Sequence, residues 1–411
     1  MGRDGPRKWR RISLPTNLGG SPPTGEAQAE DRPALQVAQS MTPQQTATTR
    51  SWETATATAP APATISRRVL VVGAGAVGSF LGALLGSVGH DVTLVRIFEP
   101  DSERPIVLVQ PDGSRTTIPV HRFTRTEDAP TPDLILVAVK MPALREALAP
   151  TLLWPEVPTL TVENGVGADE IAADVRPASP QLAGSLTAPI RLASEDEIRW
   201  LGRGGLALAA AVESARPLVR GILDEFGRAG LRVRELPSAA PMKWSKLLAN
   251  LMANATGAIL DMDADAIYRD PRLFDVERRQ LREALAVMRR LGLRPVTLPG
   301  APVPWLARCL WLPAWLARPI LTRVVGGARA GKAPSLRIAV TSAPPSMPCA
   351  EPTEVAWMNG AVARAGAERG VATPVNSCLA ALVDEVAADP ERRAWFRGHP
   401  ERLLAELAGK R

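Results

Sequence analysis

Three side chains within MKWSKLLANLMANATGA, residues 242–258, have types and spacing suited to proton chemistry. Lys246, Asn250 and Asn254 stand at i, i+4 and i+8, which places them along one face of a helix expected from Met242 to Ala258. Leu247, Leu248, Leu251 and Met252 surround that stripe with apolar surface. A lysine so placed loses hydration, which lowers its pKa towards the range useful for a general acid. The two amides can hold a carboxylate, a hydroxyl or a cofactor amide without adding charge. The plainer reading is an exposed polar face on an amphipathic helix. Such faces usually carry charged residues, however, and asparagine is a poor helix former that needs a reason to be there.

A second group of residues suits phosphate binding. Gly73, Gly75 and Gly78 in GAGAVG follow the apolar run Val69-Leu70-Val71-Val72 and open an apolar helical pattern through Val88. In that setting the first glycine permits a tight turn and the second lets backbone approach a pyrophosphate. The third lets helix and strand pack closely, while the amides around Ala76 and Val77 face the phosphates. A glycine-rich turn without a ligand is the alternative, but the flanking elements favour dinucleotide binding. The second strand, Asp91–Val95, is followed by Arg96 instead of the acidic residue that holds a ribose 2′-hydroxyl. An arginine there pairs with a 2′-phosphate, so NADP is preferred, although Glu99 lies close by.

The elements that must position these groups fall into an ordered series. Leu134–Val139 and Thr159–Val162 read as further buried strands, and strands alternating with helical segments argue for a parallel sheet. From about Pro237 the pattern becomes helical, with segments expected at 242–258, 273–291, 351–370 and 378–388. The expected organisation is a low-complexity disordered tail at 1–66, a Rossmann domain at 67–236 and a helical domain at 237–411. Arg10-Arg11 near the start faintly resembles an export signal, but no continuous apolar stretch follows. Within the helical part, 298–325 is dense in Pro, Trp and Leu and too interrupted to cross a membrane. An amphipathic insertion packed on the helical domain or lining its cleft is favoured there over a membrane-surface helix.

Composition narrows the function classes. Charged residues make up 22% and hydrophobic ones 45%, ordinary for a soluble protein. The net charge of +7 comes from scattered arginines without any nucleic-acid-binding signature, so compositional bias is favoured over nucleic-acid binding. Cys309, Cys349 and Cys378 fit no disulfide or metal framework, which suits a cytoplasmic setting. His90, His121 and His399 are unclustered, so neither a metal site nor a His–Asp acid pair is expected.

Five ordered blocks, spanning roughly Arg67 to Ala388, resemble the ketopantoate reductase (2-dehydropantoate 2-reductase) family. They are the glycine turn, Lys140 after LILVAV, the loop Glu163-Asn164-Gly165-Val166-Gly167, the Trp-x-Lys-Leu helix with its two asparagines, and a C-terminal block. The last comprises Pro352-Thr353-Glu354-Val355, Asn359-Gly360, Gly370-Val371 and Thr373-Pro374-Val375-Asn376. The resemblance implies an α/β Rossmann-type N-terminal domain plus an all-α C-terminal domain like that of 6-phosphogluconate dehydrogenase. It implies NADPH-dependent reduction of a small 2-oxoacid, with Lys246 as general acid and Glu354 binding the substrate hydroxyl. Asn164 and Lys140 would position cofactor and carbonyl, while Asn250, Asn254 and a serine hold substrate.

Two departures put the substrate in question. The family's Ser-Met-x-x-Asp block corresponds to Ser335-Leu336-Arg337-Ile338-Ala339, without the aspartate, and a later Ser346-Met347 leaves either serine as the contact. The usual Thr-Glu-x-Asp is here Thr353-Glu354-Val355-Ala356. Three readings follow: a 2-dehydropantoate reductase, a reductase of another branched 2-oxoacid, or a non-catalytic NADPH sensor. A sensor needs the glycine turn but not Lys246, both asparagines and Glu354. A homodimer is compatible with the apolar helical faces, and no nucleic acid or stable membrane insertion is expected.

Overall fold

The computed structural model describes residues 66–96, 100–329, 333–344 and 346–409, with the side chains of 327–329 excepted. The tail expected to be disordered lies outside these residues apart from Ser66. The N-terminal part runs β1 (Arg68–Val72), α1 (Ala76–Ser87), β2 (Asp91–Val95), β3 (Ile106–Val109), β4 (Arg115–Ile118), β5 (His121–Phe123), β6 (Leu134–Val137) and α2 (Leu144–Leu148). It continues through β7 (Thr159–Thr161), α3 (Ala168–Val175), β8 (Gln181–Leu186), β9 (Ile190–Leu192), β10 (Glu197–Trp200), β11 (Leu206–Ala210), α4 (Arg216–Arg228) and β12 (Val233–Glu235). Helices follow: α5 (Ala239–Leu251), α6 (Ala255–Leu260), α7 (Ala264–Arg269), α8 (Pro271–Arg290), α9 (Val303–Cys309), α10 (Ala314–Arg329), α11 (Ser335–Thr341), α12 (Asn359–Arg369), α13 (Pro374–Ala388), α14 (Pro390–Phe396) and α15 (Pro400–Ala408).

The main sheet has eight strands in the order β12-β11-β8-β7-β6-β1-β2-β5. From β8 to β5 neighbouring strands are parallel, and only β11 runs antiparallel to its neighbour β8. The chain goes from β1 to β2 on one side and later to β6 on the other. The order therefore reverses at β1, where ligands of such sheets bind beyond the strand ends. The continuous apolar runs of β1 and β6 are buried on both faces, as parallel strands covered by helices require. A second sheet, β4-β3-β10-β9, is mostly antiparallel and was not expected from the sequence.

Alanines at positions 183, 207 and 209 of β8 and β11 share a core with Met242, Leu247 and Leu251 of α5. These short side chains let the helix lie close against the sheet. The crossover from β6 to β7 is stapled by the buried Arg176. Its guanidinium donates to the carbonyls of Thr151, Trp154 and Val157 and to the Thr159 hydroxyl. Burial lowers this group to about 10, and its full set of acceptors is what makes the buried charge tolerable.

The single helix expected over Met242–Ala258 is in fact two. It stops at Leu251 and restarts at Ala255, with Ala253 at φ 52°. The cause is the buried carboxylate of Glu277 on α8, which accepts from the Ala253 amide at 2.7 Å and from the Thr256 hydroxyl at 2.7 Å. Capture of that amide by a side chain stabilises a left-handed alanine that otherwise costs about 1 kcal/mol. The helix expected over 351–370 is likewise split, into a short turn at Glu354–Trp357 and α12. The Trp-rich segment forms α9 and α10, which bury Val303, Leu306, Ala317 and Leu321 in the helical core. No helix among the described residues is long and apolar enough to cross a membrane. Replacing Glu277 by Leu takes this acceptor from three buried donors, the Ala253 amide and the Thr256 and Tyr268 hydroxyls, so urea unfolding should report a loss of about 3 kcal/mol. Full stability in that variant would mean that the α5–α6 break does not depend on the carboxylate.

Candidate active site

One edge of α5 is hydrogen-bonded to the ends of β7 and β8. Half-buried Lys246 donates from Nζ to the Leu186 carbonyl at 2.7 Å. One turn on, Asn250 Nδ2 donates to Asn164 Oδ1 at 3.1 Å, in the loop after β7. One turn before, buried Lys243 donates to the Glu163 carbonyl at 3.4 Å and lies 3.8 Å from Asp169 Oδ1. Lys246 and Asn250 thus share a face, as the sequence spacing requires, and that face meets the carboxyl ends of the strands.

Glu354 approaches from the helical part. Its Oε1 accepts from the Met141 amide just beyond β6 at 3.4 Å. Burial pushes its carboxyl above the usual range, opposed by the Met141 amide and the nearby Lys140. Lys140, at the mouth, is paired with Glu351 at 2.5 Å. The Val166 amide donates to the Trp357 carbonyl at 3.1 Å. At Gly165, with φ 92°, a Cβ would stand 2.6 Å from that same carbonyl oxygen, so only glycine allows this approach. Lys140, Asn164 and Glu354 therefore gather at the ends of β6 and β7, with Lys246 and Asn250 beside them on α5.

Asn254 is placed differently from the expectation. Because α5 ends at Leu251, it leaves the Lys246–Asn250 stripe. It is buried against α11, donating to Ser335 Oγ at 3.4 Å and accepting from the Leu336 amide at 3.0 Å. Ser335, not Ser346, is the serine it meets. Ala339 stands where the family's aspartate would be. Arg337, two residues earlier, pairs with Asp261 and Asp263.

The glycine turn fits a dinucleotide. A Cβ on Gly78 would sit 2.1 Å from the Gly73 carbonyl oxygen, whereas one on Gly75 would meet nothing within 4 Å. Gly78 thus serves packing, and Gly75 leaves open space in front of α1. No side chain caps that helix start, so the Ala76 and Val77 amides are available to phosphate oxygens. Arg96 is half-buried at the end of β2, the position for a ribose contact.

Sequence profiles of known families agree with this arrangement. That of ketopantoate reductase PanE/ApbA matches residues 69–213, and that of its C-terminal part matches residues 239–387. The chain belongs to the ketopantoate reductase family. A 2-dehydropantoate 2-reductase of Pyrococcus horikoshii is 26% identical over 234 residues, covering 55% of this chain and 75% of the relative. Among solved structures, 2-dehydropantoate 2-reductase from Geobacter metallireducens superposes with TM-score 0.64 at 22% identity, covering 77% of this chain and 99% of that one. A D-mandelate dehydrogenase with NADH and anilino(oxo)acetate also gives 0.64, at 18% identity over 80% of this chain and 99% of that one. At these identities the two structures speak for the ketopantoate reductase fold alone.

The sequence gives no role to Lys243 or Asp169, and names Glu163 only as the first residue of the Asn164 loop. Lys243 stands three residues before Lys246, a spacing that puts both on one helical edge, so a signal was present. Glu163 is fully buried, and among the described residues neither carboxylate oxygen has a hydrogen-bond partner. Burial raises it to about 8 from 4.5, the Lys243 ammonium opposing the shift. A carboxyl raised on folding stabilises the fold below pH 4.5, and that contribution is lost as pH climbs through 8. Glu163→Gln replaces the carboxyl with a neutral amide of nearly the same shape. Melting curves should show this variant gaining on the wild type between about pH 5 and 8. Parallel curves across that range would place Glu163 in water as an ordinary carboxylate.

Proposed function

We propose that this chain is a cytoplasmic NADPH-dependent reductase of 2-dehydropantoate, forming (R)-pantoate for pantothenate and coenzyme A synthesis. The observation that carries the reading is the half-buried Lys246 ammonium at the ends of β7 and β8, with Asn250 fixed to Asn164 beside it. Bound NADPH supplies the hydride to the carbonyl carbon. Lys246 exchanges the Leu186 carbonyl for the substrate oxygen, neutralises the growing alkoxide and gives it a proton. Asn164 and Asn250 hold the ring amide and the carbonyl in register, and Lys140 orients the cofactor. Glu354 accepts from the substrate hydroxyl, a role suited to a carboxyl already held in a dry site. Ser335 at the start of α11 and Asn254, bonded to it from the start of α6, border the substrate carboxylate, and Arg96 pairs with the 2′-phosphate. Cys309, Cys349 and Cys378 are all free thiols, in keeping with a reducing compartment.

A second 2-oxoacid is favoured by one observation. Ala339 and Ala356 replace the two acidic positions of the family blocks around Ser335 and Glu354, which leaves a less polar border. The D-mandelate dehydrogenase of similar fold was solved with anilino(oxo)acetate, an oxoacetate bearing an aromatic group.

Loss of NADPH absorbance with ketopantoate and a panel of branched and aromatic 2-oxoacids separates the two substrates. Turnover with ketopantoate supports the main reading, turnover only with others the second, and tight NADPH binding without turnover a sensor. Lys246→Ala should lower kcat by roughly 100- to 10,000-fold while NADPH binding stays nearly intact. Wild-type turnover in that variant removes Lys246 from the acid role. Arg96→Ala should raise the KM for NADPH by about ten-fold or more and leave that for NADH unchanged. Equal effects on both cofactors would remove the 2′-phosphate contact.

A further inference from the structure

The α9–α10 hairpin exposes more aromatic surface than its packing explains. Trp305 is 43% exposed, Trp311 62% and Trp315 75%, with Leu316 beside them, while the opposite faces of both helices are in the core. This display is held firmly. Arg278 and Arg282 both donate to the Leu310 carbonyl, and the Arg282 guanidinium stacks 4.8 Å from the Trp311 ring. The hairpin's own stretch of sequence carries one sign of charge. Residues 284–350 contain neither Asp nor Glu, and Arg308, Arg318 and Arg323 belong to the hairpin. Between α7 and α10 lies an open groove of about 640 Å³, lined by Trp315, Arg318, Thr322, Arg323 and an Arg269–Asp265 pair.

We propose that this hairpin docks the protein on an anionic lipid surface, with the tryptophans at the headgroup level and the arginine groove taking a lipid phosphate. Indole rings suit that boundary because they combine a broad apolar body with one polar N–H. Arginines near an anionic leaflet each contribute about a five-fold gain in affinity, and the groove's Arg269, Arg318 and Arg323 outnumber its one carboxylate, Asp265, which is paired with Arg269. A second copy of the chain is disfavoured as occupant. A two-fold interface would set this face against itself, arginine against arginine. The proposal does not depend on the assignment of the reductase residues.

Sedimentation of the full chain with phosphatidylglycerol-containing vesicles tests this, with pure phosphatidylcholine vesicles alongside. Binding is expected only to the anionic vesicles, weakening as salt rises, with a blue shift of tryptophan emission. A Trp311→Ser/Trp315→Ser variant should lose at least ten-fold in vesicle affinity, and Arg318→Gln/Arg323→Gln about as much, with NADPH affinity unchanged. Equal partition of wild type and both variants overturns the proposal. So does a lack of vesicle binding accompanied by a concentration-dependent dimer that the tryptophan variant dissolves, or by binding to single-stranded DNA instead.

Discussion

The polar edge of α5 is bonded to the carboxyl ends of β7 and β8 through Lys243, Lys246 and Asn250, and the placement of the candidate site follows from those three contacts. Each uses a nitrogen donor on the helix and an oxygen of the sheet or its loop. Two of the donors are charged, and a charged donor withdrawn from water must keep its acceptor. The alanines of β8 and β11 bring the helix close enough for those bonds to form. Catalytic geometry and core packing therefore depend on the same contact surface.

Several features of the site run against simple stability. A left-handed alanine interrupts the helix one turn after Asn250, and a buried glutamate is needed to hold it. Glu163, beside Asn164 in the same loop, is buried with no hydrogen-bond partner for its carboxylate among the described residues. Glu354 is partly buried beside the Met141 amide, and that burial raises its carboxyl above the usual range. Such local conflicts concentrate where side chains must be held in a chosen protonation state and direction. Elsewhere, at the Arg176 staple for example, buried charge is fully matched.

Much of this was legible in the residues. The buried strand, glycine turn and helix of the nucleotide site follow from short-range pattern, and each glycine has the environment that its position in the turn demands. Lys246 and Asn250 share a face because four residues make about one helical turn. Asn254 did not follow them, because the break at Ala253 is imposed by Glu277 from a distant helix, and alanine carries no sequence signal for a left-handed backbone. The four-stranded second sheet was hidden for a similar reason. Its strands are three or four residues long and pair across the chain, β3 with β10, which no local periodicity reveals. Which serine stands by Asn254 was equally a matter of tertiary contact, since Ser335 and Ser346 precede similar residues.

The central claim is that the Lys246 ammonium turns from a backbone carbonyl to the oxygen of a bound 2-oxoacid. A crystal structure of the chain with NADP and a 2-hydroxyacid product tests this most directly. The account predicts Lys246 Nζ about 3 Å from the C2 oxygen, with that oxygen's carbon facing the nicotinamide. A structure in which Lys246 remains on Leu186 while another donor meets the C2 oxygen would contradict it.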